Sequence, residues 1–162
     1  MKPEPDTLTA LARLIRTERI AHLATLRQGA PMASMTLYLP DEGFTGFQLH
    51  VSRLAWHTQD MLADPRVCLS IAATDDGVRN PQVLERVSLR GEAASIPNDA
   101  PAHAGLKAAW LARFADSAIN FELADFNFFR IVARDARFVA GFGRIHNLSA
   151  AEVMKILADG SN

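Results

Sequence analysis

Cysteine is the scarcest chemistry in this chain: Cys68 is the one thiol in 162 residues. A single thiol excludes an intramolecular disulfide framework and supplies no sulfur cluster for a metal. Set in the apolar run RVCLSIAA, it reads as a small buried packing residue. An excess of either charge is also missing. Lys and Arg number 17 against 18 Asp and Glu, for a formal net charge of -1 and a pI of about 6.5. That balance gives no electrostatic case for general binding to nucleic acid or to a membrane surface. No apolar run is long enough to span a bilayer. The start, MKPEPDTLTALARLIRTE, is acidic and broken by proline, unlike a secretory signal, so a cytoplasmic protein is the default expectation.

The familiar catalytic signatures are absent too. There is no Gly-x-Gly-x-x-Gly after a strand, no Walker loop and no His-Glu-x-x-His. The stretch GFGRIH has two glycines but precedes no clear phosphate-binding helix. The histidines are His22, His50, His57, His103 and His146. None stands at metal-ligand spacing from another histidine or from the cysteine. His57 and Asp60 are three apart, the spacing of a contact on a helix surface. No Ser/His/acid set can be assembled, so no catalytic residue is named.

What remains is an ordinary globular composition, 49% hydrophobic and 22% charged, long enough for one domain with a real core. Leu8, Leu11, Leu14 and Ile15 recur at helical spacing, which predicts a helix over 8–18 capped by Thr7 or Thr9. IAHLATL (20–26) and MASMTLYL (32–39) flank the turn RQGAP and predict a hairpin. FQLHV (47–51) is a third strand. VCLSIAA (67–73) is a fourth, apolar enough to be buried on both faces. QVLERVSLRGEAASI (82–96) alternates and carries Gly91, the mark of a bend or bulge in a long strand. NDAPAHAGLKAAWLARF (98–114) reads as a helix capped by Asn98 or Asp99, and 116–124 as a short helical or irregular piece. FNFFRIVARDARFVAGF (126–142) reads as two strands around a turn at Arg134-Asp135. Ser149 and Glu152 form a Ser-x-x-Glu capping box for a terminal helix over 148–158. Trp56, Trp110 and the Phe121/Phe126/Phe128/Phe129 group are expected in the core or in an interface between copies. Six or seven short strands with outer helices imply one α+β domain, 1–162, built on an antiparallel barrel.

The strongest local signal is SRLAWHTQDMLADPR (52–66), read as a helix over 53–63 closed by Asp64-Pro65. A helix start leaves backbone N–H groups unpaired and suits an anion. Ser52, Arg53, His57 and Thr58 would add hydroxyl, guanidinium and imidazole donors, while Leu54, Met61 and Leu62 anchor the helix from another face. The plainer reading has Ser52 capping the helix and Arg53, His57 and Asp60 in water.

The pattern Ser-x-Leu-Ala-x-His-Thr-x-x-(apolar)-Leu-x-Asp-Pro-Arg over Ser52–Arg66 resembles the pyridoxamine 5′-phosphate oxidase-like, FMN-binding split barrels. Within them it is most similar to the branch of haem-utilisation proteins. RVSLRGEA (86–93) and ARFVAGFGR (136–144) match later strands in the right order, so the resemblance covers about 10–145. It implies a six-stranded antiparallel split β-barrel and a homodimer with FMN between the subunits. It implies that the phosphate sits near the start of the 52–66 segment, and together with the clustered donors it makes Ser52, His57 and Thr58, assisted by Arg53, the expected phosphate pocket. It puts Ala33, Ser34, Met35 and Thr36 along the flavin edge, and Arg86 where a partner subunit reaches the cofactor. The departures are specific. Trp56 and His57 replace the arginine and lysine of the oxidases' Ser-Arg-Lys motif, and the oxidases' C-terminal arginine segment is not recognisable. Pyridoxamine phosphate oxidation is therefore not expected. The resemblance implies an FMN-binding oxidoreductase acting on a small molecule. The alternatives are a haem-binding or haem-degrading protein, with His146 as the candidate iron ligand, and a non-enzymatic flavin-binding module.

Overall fold

Alternating apolar and polar residues dominate the middle of the chain, and they assemble into one sheet. The computed structural model describes residues 5–41 and 44–158. Four helices are present: α1 (Pro5–Thr17), α2 (Trp56–Ala63), α3 (His103–Arg113) and α4 (Ala150–Ala158). The strands are β1 (Ile20–Arg27), β2 (Ala30–Leu37), β3 (Leu39–Pro40), β4 (Phe47–Ser52), β5 (Arg66–Ala72), β6 (Arg86–Ile96), β7 (Phe126–Val139) and β8 (Ile145–Ser149). All pairs are antiparallel, in the order β2-β1-β5-β6-β7-β4-β3, with β8 also on β7. The expected α+β split barrel is observed, with eight described strands instead of six. The additions are the two-residue bridge β3 and β8, which occupies residues just ahead of the terminal helix.

β7 organises the sheet. One of its edges carries β6; the other carries β4 along 126–131 and β8 along 135–139. The expected turn at Arg134-Asp135 does not exist. The register steps from Arg90 opposite Asp135 to Gly91 opposite Ala133, which makes Arg134 the extra residue of a β-bulge. Gly91 is required there, because a Cβ would sit 2.2 Å from the Val132 carbonyl oxygen. The β1–β2 hairpin is as expected. Its two turn residues, Gln28 and Gly29, both have positive φ (53° and 81°), the geometry of a type I′ turn.

The inner face of the sheet meets α1. Leu11, Leu14 and Ile15 pack with Leu23, Leu69, Leu89, Ile131 and Phe138, all 2% exposed or less. Each such side chain contributes about 1.5–3 kcal/mol by leaving water. A second cluster of Trp110, Phe114 and Phe128 lies under α3. Several expected boundaries move. Thr7 and Thr9 lie inside α1 rather than ahead of it. α3 begins at His103 with Ala102 at its cap position and no side-chain cap from Asn98 or Asp99. The capping box at the start of α4 is formed: the Ser149 N–H donates to Glu152 Oε2 (2.8 Å) and the Glu152 N–H donates to Ser149 Oγ (3.3 Å).

β5 is not buried on both faces. Val67, Leu69 and Ile71 are buried, but Cys68 and Ser70 are half-buried on the outer side. The outer face of the sheet stays open to water at His22, Met35, Arg90, Arg137 and Asn147.

Candidate functional site

Two regions contain the residues singled out from sequence. The first is the junction of β4 and α2. Ser52 is the last residue of β4 and does not cap the helix, which starts at Trp56 with Ala55 before it and no side-chain cap. The Ser52 hydroxyl donates to the Asp125 carboxylate and accepts from the Leu54 N–H (3.1 Å). Arg53 donates through its backbone to the Asp125 carbonyl (2.7 Å) and through its guanidinium to the Ala124 carbonyl (3.2 Å). A carboxylate thus already occupies the hydroxyl expected to meet a phosphate. Thr58 is fully buried, and its Oγ1 has no hydrogen-bond partner among the described residues. His57 is half-buried; burial pushes its imidazole below the ordinary range, and nearby Asp60 works against that shift.

The anchoring of α2 differs from expectation. Leu54 and Leu62 are exposed (77% and 62%), as is Trp56, while Met61 is buried. Asp60 is not solvated but 4% exposed. It accepts from Thr25 Oγ1 (2.9 Å) and from Arg27 Nη1 (2.9 Å), and the Arg27 guanidinium lies 4.1 Å from the centre of the Trp56 ring. Sequence reasoning passed over Arg27 as a turn residue. Nothing local in the sequence marks it, since Asp60 lies 33 residues away along the chain.

The second region is the open face of the sheet. Cross-strand register sets Met35, His22, Ser70, Ser88, Arg137 and Asn147 side by side in one row from β2 to β8. The next row runs Ala33, Ala24, Cys68, Arg90, Asp135 and Ser149. Small side chains form the floor. A cleft of about 610 Å³ opens there, lined in part by Cys68, Ser88, Arg90, Asp135, Arg137 and Asn147. Arg90 is held two-pronged by Asp135 (2.8 Å each), and this pairing pulls the Asp135 carboxyl below its usual range. Among the described residues, Arg137 meets the neutral Asn147 amide oxygen (3.0 Å) and no carboxylate. Across these two rows, two guanidinium groups face one carboxylate. Burial pushes the Cys68 thiol up, so it stays protonated at neutral pH.

β2 contributes differently along its length. Ala33 and Met35 point to the open face; Ser34 and Thr36 point inward, and the buried Thr36 Oγ1 lacks a partner. Arg86 lies at the start of β6, opposite Ala72 and Val139, and donates to the Gln82 and Leu84 carbonyls (3.2 and 3.0 Å). One chain does not bring it to α2, which packs on β1 near Arg27. His146 is on β8, stacked against Phe138 (ring centres 6.5 Å apart), with Nε2 buried and unpartnered.

The family model described as pyridoxamine 5′-phosphate oxidase matches residues 8–140. The chain belongs to that family. The match covers most of the chain, including the β4–α2 junction and the open face apart from its β8 residues. Among curated proteins, the chloroplastic haem oxygenase HOZ of Arabidopsis thaliana is 33% identical over 116 residues, which cover 70% of this chain and 33% of that protein. This family member therefore spans about a third of its plant relative. Among solved structures, a haem-binding protein from Mycobacterium smegmatis superposes with a TM-score of 0.81 at 24% identity, over 96% of this chain and 62% of that one. HutZ, a haem storage protein from Vibrio cholerae, superposes with a TM-score of 0.70 at 20% identity, over 82% of this chain and 91% of that one. An FAD-binding protein from Mesorhizobium loti reaches 0.62 at 17% identity, over 78% and 87%. At these identities, the three structural likenesses speak for the fold. No helix among the described residues is long and apolar enough to cross a membrane.

Proposed function

We propose that this protein binds haem on the open face of its sheet, as a carrier or a haem-degrading enzyme. The observation that carries this reading is the face itself. It offers a floor of small side chains, a cleft of about 610 Å³ and the uncompensated guanidinium of Arg137. Haem is flat and carries two carboxylates, and guanidinium groups suit carboxylates in charge and in shape. The donor set therefore fits the group. When bound, haem supplies the redox chemistry; the protein supplies position and electrostatics. The relationship to a plant haem oxygenase supports the same reading.

A second reading, FMN with its phosphate at the β4–α2 junction, is favoured by one observation. The α2 start carries no side-chain cap and has exposed Arg53 and half-buried His57 beside it. Against it stand the Asp125 carboxylate on Ser52 and the complete burial of Thr58. Titrating the purified protein separately with haemin and with FMN separates the two. Haem binding produces a shifted Soret band that Arg137→Ala weakens. Quenched flavin fluorescence with no haem-dependent band would overturn the haem reading and leave the flavin one.

The same reading includes a homodimer with the cofactor at the interface. β2 is an edge strand that pairs only with β1, and a free edge beside exposed apolar side chains favours association.

A further inference from the structure

We infer that His22 is the side chain of this chain that ligates the iron of a bound haem, an assignment that rests on the haem reading above. The argument is one of placement. His50 is 8% exposed and stacked at 4.0 Å on Phe121, with Phe128 at 4.6 Å. It belongs to the aromatic cluster under α3, not to the open face. His103 packs edge-on against Phe128 from α3 (5.5 Å). His57 lies on α2, half-buried near Asp60. His146, the expected ligand, has the same parity along β8 as buried Leu148 and pairs with buried Phe138, so it faces inward. Its Nε2 is closed off from solvent.

His22 alone of the five stands on the open face. It is exposed, and its imidazole makes no hydrogen bond or ring contact with any described residue, its backbone alone being engaged in the sheet. Ser70 and Met35 flank it across the strands, and Ala24, two residues along β1, continues the floor. Ser70 and Ala24 are small and leave a flat ligand room on that side of the imidazole, while Met35 offers it an apolar contact on the other. Arg137 occupies the same row three strands away, a separation of roughly 14 Å at ordinary strand spacing. Arg90 is in the adjacent row. One row thus offers a nitrogen donor for iron at one end and a cation for carboxylates at the other. A neutral imidazole is the commonest protein ligand for such a metal.

The test uses the full chain and haemin. His22→Ala and His146→Ala are each titrated, and the ferric absorption and electron paramagnetic resonance spectra are recorded. His22→Ala is expected to shift the Soret band and change the spin-state signature. Its haem affinity should fall by more than about ten-fold, the scale on which even a partner of a metal ligand acts. Added imidazole should restore the wild-type spectrum in His22→Ala, which a merely structural loss would not permit. His146→Ala should keep the wild-type spectrum. Far-UV circular dichroism checks the fold of both variants. The inference is overturned if wild type binds haem and His22→Ala gives the same spectrum. It is equally overturned if His22→Ala leaves the spectrum alone but changes the sedimentation coefficient, since the face is then an interface between copies. No haem band in wild type removes the haem reading itself, and this assignment with it.

Discussion

Asp60 shows how far a single side chain can depart from its local pattern. Three residues from His57 on a short helix, it has the spacing of a wet surface contact. It is buried because two partners arrive from β1: Thr25 and Arg27, each at 2.9 Å. Neither is near it in sequence, so no local rule reports them. Removing one member of a buried ion pair leaves the other charge without compensation. We expect Asp60→Ala to destabilise the protein by about 3 kcal/mol, the low end of that range because Arg27 keeps some water. Arg27→Ala should cost a similar amount and also free the Trp56 ring. Urea denaturation followed by circular dichroism measures both. A loss under about 1 kcal/mol for both variants would mean that the pair is no more than a surface bridge. Gly91 was more legible, because it speaks through its own chemistry. Gly91 signalled a bulge. Cys68 was read as buried and is half-exposed on the open face, since its burial depends on which side of β5 has a neighbour.

At the scale of elements, strand positions were readable and their ends were not. Sequence patterning locates β1, β2, β4 and β5 within a residue or two, but it starts β6 four residues early, because 81–83 form a 3-10 turn ahead of Arg86. Arg134-Asp135 looked like a turn because a polar pair interrupts an apolar run. The bulge instead absorbs Arg134, and Asp135 finds Arg90 across the sheet. Gly91→Ala should cost at least 1–3 kcal/mol as overpacking against the Val132 carbonyl, seen as a lower midpoint in denaturant. The segment from α3 through the 3-10 turns of Ala115–Glu122 gives a second prediction. It packs on His50, whose pKa burial lowers from 6.5 to about 4; His103 and Lys107 push the same way. The folded protein therefore holds fewer protons on His50 than the unfolded chain between those two values. This contribution to stability is complete above about pH 6.5 and is lost as pH falls toward 4. Unfolding midpoints measured from pH 7 to 4 should decline, and His50→Phe should flatten the decline. An unchanged slope in His50→Phe would assign the acid sensitivity to other groups.

At the scale of the molecule, the fold was legible because family and pattern agreed, and the site was only half so. Sequence pointed to the β4–α2 junction, where donors cluster along the chain. The open face is invisible to such a reading, since Met35, His22, Ser70, Ser88, Arg137 and Asn147 become neighbours only through the register of six strands. That face also bears on assembly. The described helices cover the inner side of the sheet, which leaves Met35 61% exposed on the edge strand β2 and Leu54, Trp56 and Leu62 exposed around α2. A second copy related by a two-fold axis would cover such a patch twice with one set of contacts. We expect sedimentation at micromolar concentration to give twice the chain mass of 17.7 kDa. Met35→Lys should shift the protein toward monomer, because a charge directed into an apolar contact must be desolvated there without a partner. It should leave thermal stability of the isolated fold nearly unchanged, since Met35 contributes little to the core. A wild-type protein that sediments as a monomer would remove the dimer, and the haem site would then belong to a single chain.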